Sequence, residues 1–232
     1  MDDHKRIVTI DGPSGGGKST VSRALAQALD FTYLDTGAMY RAVAFACREK
    51  GVGLEDSTRL TFLLESIHLE LLPPATGDDD VRVLLDGREV GQILRTAEMG
   101  LLASRFSAHP TVRLVLTRLQ QRIGAGGRIV AEGRDTGTVV FPEAAWKFYL
   151  DASPEVRARR RAMQLRNKGE VVDEQRLLEQ IVKRDKEDRE RTIAPLRMAP
   201  GALYIDSSHL PAQKVIRMMY ERVATISCGS GK

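Results

Sequence analysis

The chain has 232 residues, 42% of them hydrophobic and 5% aromatic, with a formal net charge of +4. That length supports one substantial core with room for an inserted or mobile subdomain, and not two full domains. The mild basicity suits a protein that handles polyanions, but arginines interleaved with acids along helices argue against a nucleic-acid stripe. Cys47 and Cys228 show no metal spacing and no reason to pair, MDDHKR at the amino end has no apolar signal core, and no run approaches the roughly 18 apolar residues of a membrane span. The expectation is a cytoplasmic protein in a reducing setting, with no membrane and no nucleic acid among its partners.

Four β-favouring residues, Ile7 to Ile10, run into a glycine loop and then a helix. Gly12, four residues, Gly17, Lys18 and Ser19 have P-loop spacing in the strand–loop–helix context that the pattern requires. The stretch Gly12, Pro13, Ser14, Gly15, Gly16, Gly17, Lys18, Ser19 and Thr20 is expected to hold a polyphosphate at a helix N-terminus, cradled by the backbone N–H groups of its residues other than Pro13. Lys18 supplies a mobile cation for the outer phosphates, and the Ser19 hydroxyl is placed to ligate Mg²⁺.

Val21, Ala24, Leu25, Ala28 and Leu29 predict a first helix packed on the sheet. Phe31 to Leu34 reads as a strand that delivers Asp35, Thr36 and Gly37 to its carboxyl end, where open α/β sheets place their sites. Tyr40 and Arg41 follow on a helix whose Met39, Val43, Ala46 and Cys47 read as core, and Arg41 either reaches into a cleft or stands in solvent. Alternation from Ile67 to Val90, with an Asp86-Gly87 turn, predicts a small antiparallel insertion whose PPATGDDD loop is exposed, its aspartates solvated.

Two helices are expected from Thr96 to Gly124, broken at His109-Pro110, with Val112, Val115, Leu116, Leu119 and Ile123 as the buried stripe of the second. Ser104 and Arg113 flank the break, as ligand contacts or as ordinary helix and surface residues. His109 reads as a turn residue. A strand from Arg128 to Ala131 then presents Glu132, Gly133, Arg134 and Asp135 at its end, and a carboxylate there commonly organises Mg²⁺ beside a P-loop.

Trp146 to Leu150 is a fourth strand, and Ser153-Pro154 is a cap for a helix bearing Arg157, Arg159, Arg160, Arg161 and Arg166 up to Gly169. Beside a phosphate loop this arginine run reads as a lid over the transferring phosphate, with Arg157 and Arg161 as cofactor contacts. On the helix from Asp173, positions 177, 181, 184, 188 and 191 share a face that reads Leu, Ile, Arg, Asp, Arg. Arg184, Asp188 and Arg191 are expected to face a polar cleft, with Lys183, Asp185, Lys186 and Glu187 as a solvated ladder. Pro195 is expected to stop the helix, before a fifth strand at Leu203 to Ile205 and a last helix from Pro211.

The fold expected is α/β, a doubly wound five-stranded parallel sheet with the P-loop on its central strand, carrying a small antiparallel insertion and a helical lid. Within one domain the core is 1–36, 125–153 and 192–227, the inserted region 37–124, and the lid with its following helix 154–191. Arginines from several segments imply an anionic acceptor. A phosphate acceptor, whose second pKa is about 6, is already mostly ionised near neutrality and needs no general base. Lys18, Arg134 and Arg191 are then the catalytic candidates, neutralising charge on the transferring group.

The motifs TIDGPSGGGKST (9–20), LDTGAMYR (34–41), AEGRDTGTVVFP (131–142), FYLDAS (148–153) and the Arg184 to Pro195 segment resemble those of bacterial cytidylate kinases, within the nucleoside monophosphate kinases. The resemblance implies phosphoryl transfer from Mg-ATP to CMP and dCMP, and a monomer is expected because no exposed apolar stripe is left over. It implies that Ser104, Arg113 and Asp135 recognise cytosine, Arg184 and Asp188 the ribose, and Thr36, Arg41, Arg134 and Arg191 the acceptor phosphate. It also implies that Ser19 and Glu132 stand at the metal. Thr36 replaces a common serine and keeps its hydroxyl, while Glu132 stands where aspartate is also frequent. Rival readings are a kinase for UMP, AMP or a non-nucleotide acceptor, a nucleotide-gated switch, and a nucleic-acid-binding ATPase. Against a GTPase switch, no aspartate has glycine three residues on.

Overall fold

The structure is a computed structural model that describes residues 6–73, 81–167 and 169–228. In chain order its elements are β1 (Ile7–Asp11), α1 (Lys18–Leu29), β2 (Thr32–Asp35), α2 (Thr36–Glu49), α3 (Ser57–Ser66), β3 (Leu69–Leu72), β4 (Arg82–Leu85), β5 (Arg88–Glu89), a 3-10 turn at Ile93–Arg95, α4 (Ala97–Ser107) and α5 (Pro110–Gly124). There follow β6 (Ile129–Gly133), a π turn at Thr136–Val140, β7 (Trp146–Asp151), α6 (Pro154–Arg166), α7 (Glu174–Glu190), β8 (Leu203–Asp206) and α8 (Ala212–Cys228). The chain divides into two compact units, Met1–Thr32 with Gly126–Lys232, and Tyr33–Ala125.

The five-stranded sheet has the order β2-β6-β1-β7-β8. β1 is central, in parallel register with β6 (Val8 opposite Val130) and β7 (Val8 opposite Trp146). Every residue of β1 and β6 is buried, as near-continuous apolar runs covered on both faces require. α1 packs against α8. Its buried face is Lys18, Val21, Ser22, Leu25 and Ala26, a correction to the expected stripe, since Ala28 is exposed. The short hydroxyl of Ser22 fits a tight helix–sheet contact that a count of apolar residues misses.

α6 starts as expected, with Ser153 Oγ accepting from Val156 N at 3.3 Å and Pro154 in the first turn. Arg157 lies under the P-loop and is 1% exposed. Its Nε donates to the Ala152 carbonyl at 2.8 Å, one terminal nitrogen to Ser14 O at 3.1 Å, and both terminal nitrogens to the Asp185 carboxylate. This corrects two expectations. Arg157 is not a lid side chain free to fold over the transferring phosphate, and Asp185, 4% exposed, is not part of a solvated ladder. Asp185 stands four residues after buried Ile181 and three before buried Asp188, so helical spacing puts it inside. α7 also ends earlier than expected. Glu190 is its last residue and Ala194 turns left-handed at φ 48°, ahead of Pro195.

In the unit Tyr33–Ala125, α2 is buried along most of its length, including Met39, Val43, Ala46 and Cys47. α3 was not anticipated. Its signals are the Asp56 cap, which accepts from Arg59 N at 3.0 Å, and buried Leu60, Leu63 and Leu64. The insertion is the antiparallel sheet β3-β4-β5, with Leu69 opposite Leu85. Asp86 and Gly87 turn it with φ of 51° and 78°, the paired positive φ that a two-residue hairpin needs. The expected exposed loop lies, from residue 74 to 80, outside the described residues. α4 and α5 break at His109-Pro110 as expected. The buried face of α5 is Val112, Arg113, Leu116, Gln120 and Gly124, turned from the expected apolar stripe so that Arg113 and Gln120 are drawn inward.

A buried ion pair loses most when one partner is removed. Arg157→Met and Asp185→Leu are each expected to lower unfolding free energy by about 3–5 kcal/mol, and the double variant by less than the sum. Urea denaturation of the four proteins reads this, and additive losses would show that the pair does not act as a unit.

Candidate active site

The P-loop leaves the end of β1 through a backbone that only glycine accommodates. Gly12 has φ 150°, and a Cβ there would stand 2.0 Å from the Leu150 carbonyl oxygen of neighbouring β7. Gly17, left-handed at φ 87°, caps α1. Lys18 Nζ donates to Pro13 O at 2.6 Å, so the cation is folded onto its own loop. Burial, then repulsion by Arg134, pulls the ammonium down to about 7 against the attraction of Glu132, Asp11 and Asp188. Ser19 Oγ donates to Glu132 Oε1 at 2.7 Å, which brings together the two residues expected at a metal. Among the described residues no group of three or more His, Cys, Asp or Glu is arranged to hold a metal ion, so the donors available are this hydroxyl and this carboxylate.

Beyond β6 the same unit gathers Arg134, Asp135, Asp188 and Arg191. Arg134 Nε donates to Asp188 Oδ2 at 2.9 Å. Arg191 approaches Asp135 at 3.6 Å and Asp188 at 3.8 Å, while its Nε donates to Ala194 O at 2.6 Å. Burial would push the Asp188 carboxyl up, yet Arg134, Arg184 and Arg191 together hold it below its ordinary value. Burial likewise opposes charge on Arg134, and Asp188, Glu132 and Asp11 outweigh it. Asp188 and Arg191 are thus turned inward, into a cluster of charged groups. Arg184 is half-buried, next to this cluster.

Arg161 is half-buried with a long contact to Gln164 at 3.4 Å. Arg160, expected with the rest of its run to fold over the transferring phosphate, instead donates to Ser207 O and Oγ, and Ser207 Oγ reaches Gly16 O at 3.3 Å. Sequence reasoning gave no role to Ser207 or to Asp11, the last residue of β1, which is 2% exposed. Asp11 stood in plain view, since a carboxylate that ends a fully buried strand must have partners.

In the other unit, Asp35 caps α2 through Ala38 N at 2.8 Å and pairs with Arg41 at 3.0 Å. Thr36 is buried at the start of the same helix. Gly37 gives this pair room, because a Cβ there would meet both Arg41 and Asp35 at 3.1 Å. Arg113, 4% exposed, donates to Ser107 O at 3.0 Å and lies 5.5 Å from the Tyr40 ring centroid. Ser104 is half-buried one turn before Ser107, whose hydroxyl donates to Ser104 O at 2.8 Å. Arg113 and Ser104 are thus linked through Ser107.

Residues 8–225 match the family model for cytidylate kinase. The chain is 45% identical over 214 residues to a cytidylate kinase of Carboxydothermus hydrogenoformans, covering 92% of this chain and 95% of that protein. It is 46% identical over 220 residues to one from Thermodesulfovibrio yellowstonii (95% and 98%) and 46% over 218 residues to one from Methylococcus capsulatus (94% and 96%). The chain belongs to the cytidylate kinase family. In this member of the cytidylate kinase family the cations of Lys18 and Arg134 are held beside the P-loop, largely withdrawn from water. Among the described residues no helix is long and apolar enough to cross a membrane.

Lys18 must be charged to hold a polyphosphate, but above pH 7 burial favours its neutral form. Binding of ATP should therefore take up close to ~1 proton per site at pH 8 and almost none at pH 6. Calorimetry in buffers of different ionisation enthalpy measures the uptake, and none at pH 8 would show that the ammonium is charged before ATP arrives.

Proposed function

We propose that this chain transfers the γ-phosphoryl group of ATP to CMP and dCMP, giving ADP with CDP or dCDP, as a cytoplasmic, monomeric enzyme of pyrimidine nucleotide metabolism. The observation that carries the reading is the set of guanidinium groups of Arg134 and Arg191 held on Asp188 and Asp135 in the unit that bears the P-loop.

The loop N–H groups and Lys18 bind the polyphosphate, with Lys18 exchanging Pro13 O for phosphate oxygen. Arg134 and Arg191 neutralise charge on the acceptor phosphate and the transferring group, where one well-placed arginine is worth roughly 10³–10⁵ in rate. Thr36 and Arg41 bind the acceptor phosphate, and Arg184 and Asp188 the ribose. No residue removes a proton from the acceptor, because a phosphate with a second pKa of about 6 is already ionised. Mg²⁺ fits the hard oxygen donors of Ser19 and Glu132, and when bound it spreads the charge of the outer phosphates.

Cytosine offers an amino donor at N4 and acceptors at N3 and O2. Asp135 can accept from the amino group, while Ser104 and Arg113 can donate to the acceptors. Uracil presents a carbonyl where cytosine has the amino group, which leaves the Asp135 carboxylate facing an acceptor.

Initial rates of ADP formation with CMP, dCMP, UMP, AMP and no acceptor test the reaction. Turnover confined to CMP and dCMP is expected, and tight ATP binding with no turnover on any acceptor would replace this reading with a nucleotide-gated switch. Asp135→Ala is expected to cut the CMP-over-UMP ratio of kcat/KM by about tenfold or more, the scale of one hydrogen bond to a charged group, with little change in KM for ATP. A ratio equal to the parent's would remove Asp135 from base recognition.

A further inference from the structure

Asp11 is the most heavily engaged carboxylate that the reaction does not use. It closes β1 immediately before Gly12 and faces Gly133 in the register with β6. One carboxylate oxygen accepts from Thr136 N and Thr136 Oγ1, both at 2.8 Å, and the other from Gly137 N at 2.7 Å. These donors are the first two residues after Asp135, and they open the π turn in which Asp135 O accepts from Val139 N at 2.9 Å. Asp135 itself has φ −146° and ψ 20° and makes no side-chain cap of its own turn. The turn is thus capped by a residue 125 positions earlier, bonded directly to the phosphate loop.

The surroundings leave the turn little room elsewhere. A Cβ on Gly137 would stand 2.8 Å from Thr9 Oγ1 and 3.2 Å from the Ala199 Cβ, so the backbone is pressed against β1. Burial pushes the Asp11 carboxyl up to about 6, with the Gly137 N–H opposing and Asp135 adding to the rise. Near neutral pH the ionised group therefore weighs against stability, which is unexpected of a residue present only to hold the fold.

We propose that Asp11 is a positioning residue for acceptor recognition, setting the Asp135 side chain at a fixed place relative to the P-loop so that the base-reading carboxylate and the phosphate loop move as one piece. The inference rests on the assignment of Asp135 to the base. Asp11 touches neither nucleotide. Asparagine in its place keeps the shape but turns one acceptor into an amide donor, which faces an N–H or displaces the Thr136 hydroxyl. The turn then loses its fixed position while the P-loop backbone, held by Gly12 against Leu150 and by Arg157 on Ser14, keeps its own supports.

The test is steady-state kinetics of the full chain, with CMP, UMP and ATP each varied, for the parent, Asp11→Asn, Thr136→Val and Asp135→Ala. Asp11→Asn is expected to raise KM for CMP and to lower the CMP-over-UMP ratio, each about tenfold, as loss of one charge-assisted hydrogen bond implies. KM for ATP should stay within about twofold. Thr136→Val deletes only the hydroxyl donor and should move the same two quantities about threefold, so it decides the matter if Asp11→Asn does not fold. A rise in KM for ATP matching that for CMP, or parental selectivity in both variants, overturns the proposal. Loss of selectivity in Asp135→Ala with none in Asp11→Asn overturns the Asp11 inference alone, whereas parental selectivity in Asp135→Ala overturns the base assignment and, with it, the route through Asp11.

Discussion

Positive charge cannot simply be accumulated beside a phosphate loop. Lys18, Arg134 and Arg191 are all largely withdrawn from water, and buried like charges repel strongly where the dielectric is low. The fold meets this constraint by interleaving carboxylates: Asp188 with Arg134 and Arg191, Asp135 with Arg191, and Glu132 near Lys18. The direction of the shifts follows from that arrangement, with Asp188 held ionised by the arginines around it. In the proposed reaction, phosphate oxygens replace the carboxylate oxygens on Arg134 and Arg191 and the Pro13 carbonyl on Lys18, so no cation is freshly stripped of water at that moment. That is preorganisation in the sense that matters for charge-driven catalysis.

Two features of the backbone place these charges. Parallel pairing of β1 with β6 and β7 aligns the carboxyl ends of three strands, so that Asp11, Gly133 and Tyr149 stand at one level of the sheet. The absence of a side chain at Gly12 lets the loop turn against the Leu150 carbonyl. The loop is then buttressed from below by polar groups, Arg157 on Ser14 O and Ser207 on Gly16 O. Carbonyls tied downward leave the peptide N–H groups directed the other way, which is the orientation that an anion cradle needs.

The sheet, the P-loop, the insertion and the break before Pro110 were legible because each has a local signature: an apolar run, a glycine spacing, an Asp-Gly turn, a proline. What escaped the sequence depended on burial of polar residues. Arg157 and Asp185 look like surface charge, and only their mutual approach at 2.5 Å, from one helix to the next, reveals a buried pair. On α5 the apolar count pointed to Val115, Leu119 and Ile123, but the helix is turned so that Arg113 and Gln120 go inward. Periodicity gives a helix its face only when the buried face is apolar, and a face that buries an arginine and a glutamine breaks that premise. The individual roles of Ser104 and Arg113 rested on resemblance for the same reason.

Arg157 shows how such a hidden residue changes the mechanical picture. An arginine free on a lid would contribute only when the lid closes, whereas an arginine 1% exposed and fixed to Ala152, Ser14 and Asp185 acts at all times. Through it, the start of α6, the middle of α7 and the P-loop share one hydrogen-bonded node. α7 also carries Asp188 and ends at Arg191. Movement of that helix therefore disturbs the loop that holds the donor and the charges proposed to meet the acceptor together. Linking the two through a buried ion pair, with its steep penalty for partial separation, favours states in which both are in place over states in which only one is.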